Sequence, residues 1–201
     1  MKTNFFKSEA FRCVIVLFVI TVVMCGLLAV LNDLLYVSDK ERLNRAVLKV
    51  YGKEVEASVL DGFGEGEEGF SADSGEIIKA YCFTDEGVYY ELYNSKSSNI
   101  GYKNGSVTLW VLVKYENDKP VSVENVVLDS YEKQTLMSSF STSFFEKYTS
   151  LTTEELESGK LFSTSAGAGS VQNIVSGATY SSNAMNGAVN TVLLYLWGEA
   201  V

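Results

Sequence analysis

The chain contains no histidine, and it is poor in basic residues. Without histidine it lacks the commonest general base and the commonest zinc ligand, which argues against most hydrolytic and metal-centred mechanisms. It has 16 Lys and Arg against 25 Asp and Glu, for a formal net charge of -9. Because nucleic-acid binding needs clustered basic residues, we expect no nucleic-acid partner. The length of 201 residues suits one folded domain with an appendage.

Cysteine is also scarce, with three residues in the whole chain. Cys13 and Cys25 fall inside an apolar run, which leaves Cys82 alone in the polar part. A single thiol cannot build a disulfide framework, and the sequence has no C-x-x-C pair. Cys82 lies between two aromatic residues in a strand-like stretch, so we predict a buried structural thiol.

One long run without charge lies near the N-terminus, from Cys13 to Leu31, and Thr21 is its only clearly polar side chain. Its length of about 19 residues is close to the ~20 that cross a hydrocarbon core as a helix. A signal peptide would have a shorter apolar core and a small-residue cleavage site, whereas Asn32 and Asp33 follow here. A lipoprotein cysteine at Cys25 is disfavoured because the run continues past it. We therefore predict a retained transmembrane helix over residues 13–36.

The flanking charges predict the orientation of this helix. Lys2, Lys7 and Arg12 precede it, and the next basic residue after it is Lys40. The positive-inside rule then places residues 1–12 in the cytoplasm and residues 37–201 outside. The expected location is the cell membrane, crossed once, with an extracytoplasmic C-terminal domain.

The remaining chain shows helical periodicity, then strand periodicity, then helical periodicity again. Residues from Lys40 to Tyr51 predict an amphipathic helix ended by Gly52. The Gly- and acid-rich segment from Asp61 to Glu76 fails the EF-hand pattern because Phe63 occupies a ligand position, so we interpret it as a solvated loop. Strands separated by turn signals are predicted at Glu76–Phe83, Gly87–Asn94, Val107–Tyr115 and Val121–Asp129.

Three helices are predicted after the strands. The first runs from about Met137 to Tyr148, and the second lies within Thr152–Lys160, with Gly159 as its end. The last is amphipathic, with apolar residues recurring at helical spacing on one face: Met185, Ala188, Val189, Val192, Leu193 and Leu196. The fold class that follows is α+β, in which one transmembrane helix precedes a small domain with an antiparallel-rich sheet and flanking helices. Aromatic residues in the strands are expected to pack in the core.

The turn before the last helix is rich in small and hydroxyl side chains. We expect Ser181 or Ser182 to be the N-cap, which places Thr179 just ahead of a helix N-terminus. Unpaired backbone N–H groups and the positive end of the helix dipole favour a phosphate there. A capped loop without a ligand is the alternative, because short motifs recur by chance. The residues predicted to form an anion-binding turn are Ser176, Gly177, Ala178, Thr179, Ser181 and Ser182.

The stretch NIVSGATYSSNAM (Asn173 to Met185) resembles the flavinylation motif of the FMN-binding domain family. That family includes the G subunit of the Rnf complex and the C subunit of Nqr, both membrane redox pumps. The resemblance implies FMN joined to Thr179 by a phosphoester bond, with Ser176, Gly177 and Ala178 forming the phosphate turn. It also implies a flavin transferase that uses FAD as the donor, and other membrane subunits of an Rnf-type complex as partners.

Two segments depart from the family pattern. Asn173 stands where the family usually has aspartate, and EKQTLMSS (Glu132 to Ser139) replaces a Glu-Thr-Pro-Gly-Leu-Gly segment. Three hypotheses are therefore compared: an electron-carrying subunit of an Rnf-type ion pump, a stand-alone extracellular flavoprotein, and a non-redox membrane-tethered binding module. In the first two the protein is an electron carrier rather than a self-contained catalyst.

Overall fold

The computed structural model describes residues 9–35, 39–64, 66–164 and 171–198. The chain divides into two compact units, Met1–Arg42 and Leu43–Val201. The main element of the first unit is helix α1 (Glu9–Leu35). With 27 residues it is about 40 Å long. Its segment Phe11–Asn32 has a mean hydropathy of 3.2 and no buried residue, so the helix is long and apolar enough to cross a membrane.

The second unit is built on a six-stranded antiparallel sheet in the order β1-β3-β4-β5-β6, with β2 paired to β3. The four predicted strands are all present, with bounds that differ from the predicted ones by at most three residues. The α+β class is confirmed. The strands are β1 (Ser58–Val59), β2 (Phe70–Ala72), β3 (Gly75–Asp85), β4 (Val88–Ser97), β5 (Val107–Glu116) and β6 (Lys119–Tyr131).

Two tight hairpins fix the register of the long strands. Glu86 and Gly87 connect β3 to β4 with φ of 51° and 81°, and Asn117 and Asp118 connect β5 to β6 with φ of 52° and 59°. Positive φ at both central residues is the type I′ geometry, whose twist matches that of paired strands. The sequence has turn-forming residues at both points, and the residues that flank them pair directly, Asp85 with Val88 and Glu116 with Lys119.

The sheet is covered on both faces, so successive side chains of a central strand such as β5 are buried on opposite sides. Helix α2 (Asp39–Tyr51) packs its residues Val47 and Val50 on the face that presents Leu92 and Trp110. The opposite face presents Tyr93 and carries the larger core, with helix α5 (Thr179–Trp197) and the short C-terminal helices. The predicted packing role of the strand aromatics is confirmed, since Tyr81 stacks on Trp110 and Tyr90 on Phe83.

The segment predicted as one helix from Met137 to Tyr148 is broken into three short pieces, and that prediction is wrong. A 3₁₀ turn (Met137–Ser139), helix α3 (Thr142–Glu146) and a second 3₁₀ turn (Lys147–Thr149) follow one another. Ser and Thr side chains compete with the helix for backbone groups, which favours breaks at such points. Helix α4 (Thr153–Glu157) matches its prediction, with a capping box between Thr152 and Glu155.

Two further predictions from the sequence need correction. The segment Asp61–Glu76 is not wholly a solvated loop, because it contains β2 and the start of β3. Phe63, only 9% exposed, packs edge-on against Tyr93 and Tyr195. Cys82 is partly exposed rather than buried, with its Sγ 3.3 Å from Ser58 Oγ, since only the two-residue strand β1 lies beyond β3 there.

A buried carboxylate lies among tyrosine hydroxyls on the larger core face. Glu91, 7% exposed, accepts hydrogen bonds from the hydroxyls of Tyr93 and Tyr115, and one of 3.2 Å from Tyr89. Burial and then the charge of Glu91 raise the pKa of Tyr93, and burial raises the pKa of Tyr148 in the same core. These phenols remain protonated in the folded chain at pH values where an unfolded chain ionises them.

This arrangement predicts loss of stability at high pH. Because their pKa values are raised on folding, Tyr93 and Tyr148 contribute stability that is complete below their unfolded pKa of 10.0 and falls above it. These two groups by themselves lower the free energy of unfolding by about 3 kcal/mol per pH unit beyond that point, and Tyr89 and Tyr115, whose pKa values burial also raises, make the fall steeper. Urea unfolding in detergent, followed through phenolate absorbance, measures the slope. Replacing the exposed Tyr180 by Phe is expected to leave it unchanged, whereas an unchanged slope in Tyr93→Phe contradicts the assignment.

Candidate functional site

The last helix begins earlier than the sequence indicates. Helix α5 starts at Thr179, its N-cap is Ala178, and no side chain caps it. The first helical hydrogen bond runs from Ser182 N–H to the carbonyl of Ala178 at 2.9 Å. The prediction of Ser181 or Ser182 as N-cap is therefore wrong. Thr179 is the first residue of the helix rather than a residue ahead of it.

A β-turn leads into this helix. Ala178 N–H donates to the carbonyl of Val175 at 3.0 Å, and Gly177 at the third position has a φ of +83°. A turn with positive φ at that position favours glycine. A Cβ added at Gly177 would meet no atom within 4 Å. Gly177 is thus explained by its backbone conformation, and the space around it is open.

Thr179 presents an unengaged hydroxyl at the start of α5. Its side chain is exposed, as are those of Ser176 and Tyr180, whereas Ala178 is buried. Among the described residues, the Thr179 hydroxyl and the N–H groups of residues 179, 180 and 181 have no hydrogen bond partner. Free N–H groups at a helix N-terminus, with the positive dipole end, form a site for an anion. The exposed hydroxyl of Thr179 therefore lies at a helix N-terminus that no side chain caps.

The other two serines of the motif are turned into the protein. Ser182 Oγ accepts from Val175 N–H and donates to the carbonyl of Ala178, both at 3.0 Å. Ser181 Oγ donates to Gln134 Oε1 at 2.8 Å. Both side chains are buried, so their hydroxyls hold the turn in place rather than adding donors to an anion site, as the sequence suggested.

Gln134 is a site residue that the sequence did not single out. Its Oε1 accepts from Ser181 Oγ and, at 3.1 Å, from the backbone N–H of Tyr102, while its Nε2 donates to the carbonyl of Glu132 at 2.9 Å. We call these four residues, Tyr102, Glu132, Gln134 and Ser181, the Gln134 clasp. Polar glutamines are rarely buried, and this one is 6% exposed. Its partners Tyr102 and Ser181 are 32 and 47 residues away in the chain, so no local sequence pattern indicates its role.

Exposed apolar side chains lie in or next to the chain segments that the clasp joins. Tyr102 and the loop residue Leu136 are 38% and 44% exposed, and Tyr180, beside Thr179 in the chain, is 63% exposed. Tyr102 belongs to a 3₁₀ turn (Tyr102–Asn104) whose flanking Gly105 has no room for a Cβ, which would lie 2.1 Å from the carbonyl oxygen of Glu132. Through Gln134, the Glu132–Ser139 segment is hydrogen-bonded to Ser181 of the motif.

Helix α5 is not amphipathic in the way that its sequence predicts, because its polar side is buried as well. Asn186 accepts from the Tyr148 hydroxyl and donates to the carbonyls of Ser163 and Asn173, all within 3.0 Å. Asn190 bonds both the N–H and the carbonyl of Phe162. These asparagines supply hydrogen bonds to buried backbone N–H and carbonyl groups of the chain segments that cover the helix. Residues 165–170, in the stretch of small residues after Phe162, lie outside the described residues.

Asn173, the second departure from the family pattern, is fully buried beneath this helix. Its Nδ2 donates to the carbonyl of Phe144 at 3.1 Å, and its own carbonyl accepts from Asn186. An aspartate has no proton to donate and would bury a charge against that carbonyl. The amide nitrogen therefore ties Asn173 to Phe144 below the turn, while its Oδ1 has no hydrogen-bond partner among the described residues.

The described residues contain no group of three or more His, Cys, Asp or Glu side chains that could hold a metal ion. Comparisons with protein-family models, curated proteins and solved structures find no match to this chain.

Proposed function

We propose that this protein is a membrane-anchored electron carrier with FMN attached by a phosphoester bond to Thr179. The observation that carries the proposal is the uncapped start of a helix of 19 residues, at which the Thr179 hydroxyl and three backbone N–H groups are unengaged. A capping side chain would compete with a phosphate for those N–H groups, and none is present at α5. The residues at the turn therefore fit a phosphate ester.

In the proposed attachment, a dedicated flavin transferase moves the FMN portion of FAD to Thr179. A bond forms between Thr179 Oγ1 and the phosphorus of the FMN portion, the pyrophosphate bond of FAD breaks, AMP leaves and the hydroxyl proton is released. Bound FMN supplies one- and two-electron chemistry. The chain contributes the hydroxyl, the N–H groups of Thr179, Tyr180 and Ser181, and the turn of Ser176, Gly177 and Ala178.

The proposed setting is the cell membrane, with α1 as a single anchor, residues 1–12 in the cytoplasm and the second unit outside. The length and apolar character of α1 support the anchor. A covalent bond suits such a location because a freely dissociating flavin would be lost to dilution. The resemblance at Thr179 makes an Rnf-type ion-translocating complex the proposed assembly, with its other membrane subunits as partners.

The test is peptide mass mapping of the full chain after coexpression with a flavin transferase and purification in detergent. The peptide that contains Thr179 is expected to gain the mass of FMN less one water, on the threonine itself. An unmodified Thr179 in protein that was exposed to an active transferase contradicts the proposal. The non-redox binding module is then the remaining hypothesis.

A second candidate is a stand-alone extracellular flavoprotein that passes electrons to another surface reductase. The observation that favours it is the replaced segment Glu132–Ser139, which is held against α5 through Gln134. An Rnf-type partner would meet a surface unlike that of the family at this point. Purification from the native membrane decides between the two, since recovery with several polytopic subunits contradicts the stand-alone form.

A further inference from the structure

The first turn of α5 has one strong connection to the rest of the domain on the side of the Gln134 clasp. Ser181, the third residue of the helix, donates to Gln134, which also holds Tyr102 and Glu132. The clasp thereby joins three segments that are distant in the chain. Thr179 lies two residues before Ser181 in the same helical turn, so the position of its hydroxyl depends on this hydrogen bond.

A second observation indicates that this turn is built to receive another group. Asn183 lies one turn after Thr179 on the same side of α5, is 9% exposed, and its Oδ1 accepts no hydrogen bond from any described residue. Helical side chains lean toward the N-terminus, which places Asn183 on the side of the turn that begins with Thr179. A buried acceptor without a donor is costly, which favours a site that a ligand completes.

We infer that Gln134 is a positioning residue for the modification of Thr179. By accepting from Ser181 and Tyr102 together, its amide oxygen holds the first turn of α5 at a fixed place beside the Glu132–Ser139 segment. The hydroxyl and the free N–H groups are then preorganised for the incoming phosphate. This inference rests on the proposed function, because it assigns Gln134 a role in forming the same phosphoester bond.

The experiment compares rates of flavin attachment to the full-length wild-type chain and to Gln134→Ala, in detergent, with FAD and limiting transferase. We expect attachment to Gln134→Ala to be about 10- to 100-fold slower, the effect of small misplacements of a reacting group. Ser181→Ala is expected to be slowed as well, and the double variant to be no slower than Gln134→Ala, because both remove one interaction.

The control is Ser95→Ala, which removes a buried hydrogen bond of 2.7 Å to the carbonyl of Ala188, two turns further along the same helix. It destabilises α5 without touching the clasp, so attachment to it should proceed at the wild-type rate. Amide hydrogen exchange on the unmodified chains supplies a second readout, in which Gln134→Ala is expected to speed exchange at Tyr102 at least tenfold and Ser95→Ala is not.

The possible outcomes separate this inference from the proposed function. Equal attachment rates for wild type and Gln134→Ala overturn the role of Gln134, while FMN on Thr179 still stands. Equal slowing of Gln134→Ala and Ser95→Ala also overturns it, since general destabilisation then explains the loss. A wild-type chain that receives no flavin overturns the proposed function itself, and the role of Gln134 with it.

Discussion

Thr179→Ala is expected to give a folded chain that carries no covalent flavin. The hydroxyl removed is the proposed ester oxygen, and no other group on the turn lies at the first position of the helix. Because Thr179 is exposed and its hydroxyl has no partner among the described residues, the free energy of unfolding should change by no more than about 0.5 kcal/mol. Flavin fluorescence in a denaturing gel, after coexpression with the transferase, measures the loss.

Two matched variants make this result specific. Ser176→Ala removes the other exposed hydroxyl of the turn but keeps the Thr179 hydroxyl and the backbone N–H groups, so a fluorescent band should remain. Thr179→Ser keeps a hydroxyl at the same backbone position and should retain some labelling. A band of wild-type intensity in Thr179→Ala would show that the flavin is bound elsewhere, and the assignment of the site would be wrong.

Gly75→Ala is expected to destabilise the domain strongly. A Cβ at Gly75 would lie 2.2 Å from the carbonyl oxygen of Lys96 and 2.9 Å from both Ser97 Cα and Thr191 Oγ1. The first two belong to the paired strand β4 and the third to α5. An added methyl group therefore requires β4 or α5 to move away, which disrupts the packing between them. We expect the free energy of unfolding to fall by at least about 3 kcal/mol.

Gly62→Ala is the control for this substitution. Gly62 has a φ of +89° and nothing within 4 Å of an added Cβ, so only backbone strain of about 1–2 kcal/mol is expected. Urea unfolding in detergent can be followed through Trp110 and Trp197, each 7% exposed in the folded chain. Equal losses for the two variants would mean that β4 and α5 move apart at little cost, contrary to the packing described.

The strands and hairpins could be predicted because their signals are local. Alternation of side chains along β3 to β6, and turn residues at Asn117 and Asp118, act over a few positions each. The capping box of α4 is likewise contained within four residues. The breaks between Met137 and Tyr148 escaped prediction because apolar spacing in that segment is helical, while Ser and Thr side chains favour turns.

At the candidate site, too, local features could be predicted and contacts between distant segments could not. The sequence places a small-residue turn and Thr179 just ahead of a helix, whereas in the structure the turn ends at Ala178 and the helix begins at Thr179 itself. The inward direction of Ser181 and Ser182 could not be foreseen, because Ser181 is bound by Gln134, 47 residues earlier. Asn173 and Asn186 likewise receive their roles from segments that only the folded chain brings together.

By itself, the sequence determined the apolar helix α1, the antiparallel strands and the absence of histidine chemistry. Each of these depends on composition or on contacts between near neighbours in the chain. Only the tertiary structure decided that Glu91 is buried among tyrosines, that α5 is covered on its polar side, and that Gln134 holds the turn at Thr179. The reason is physical: a buried polar group must find its partner wherever the fold supplies one, and sequence spacing carries no record of that choice.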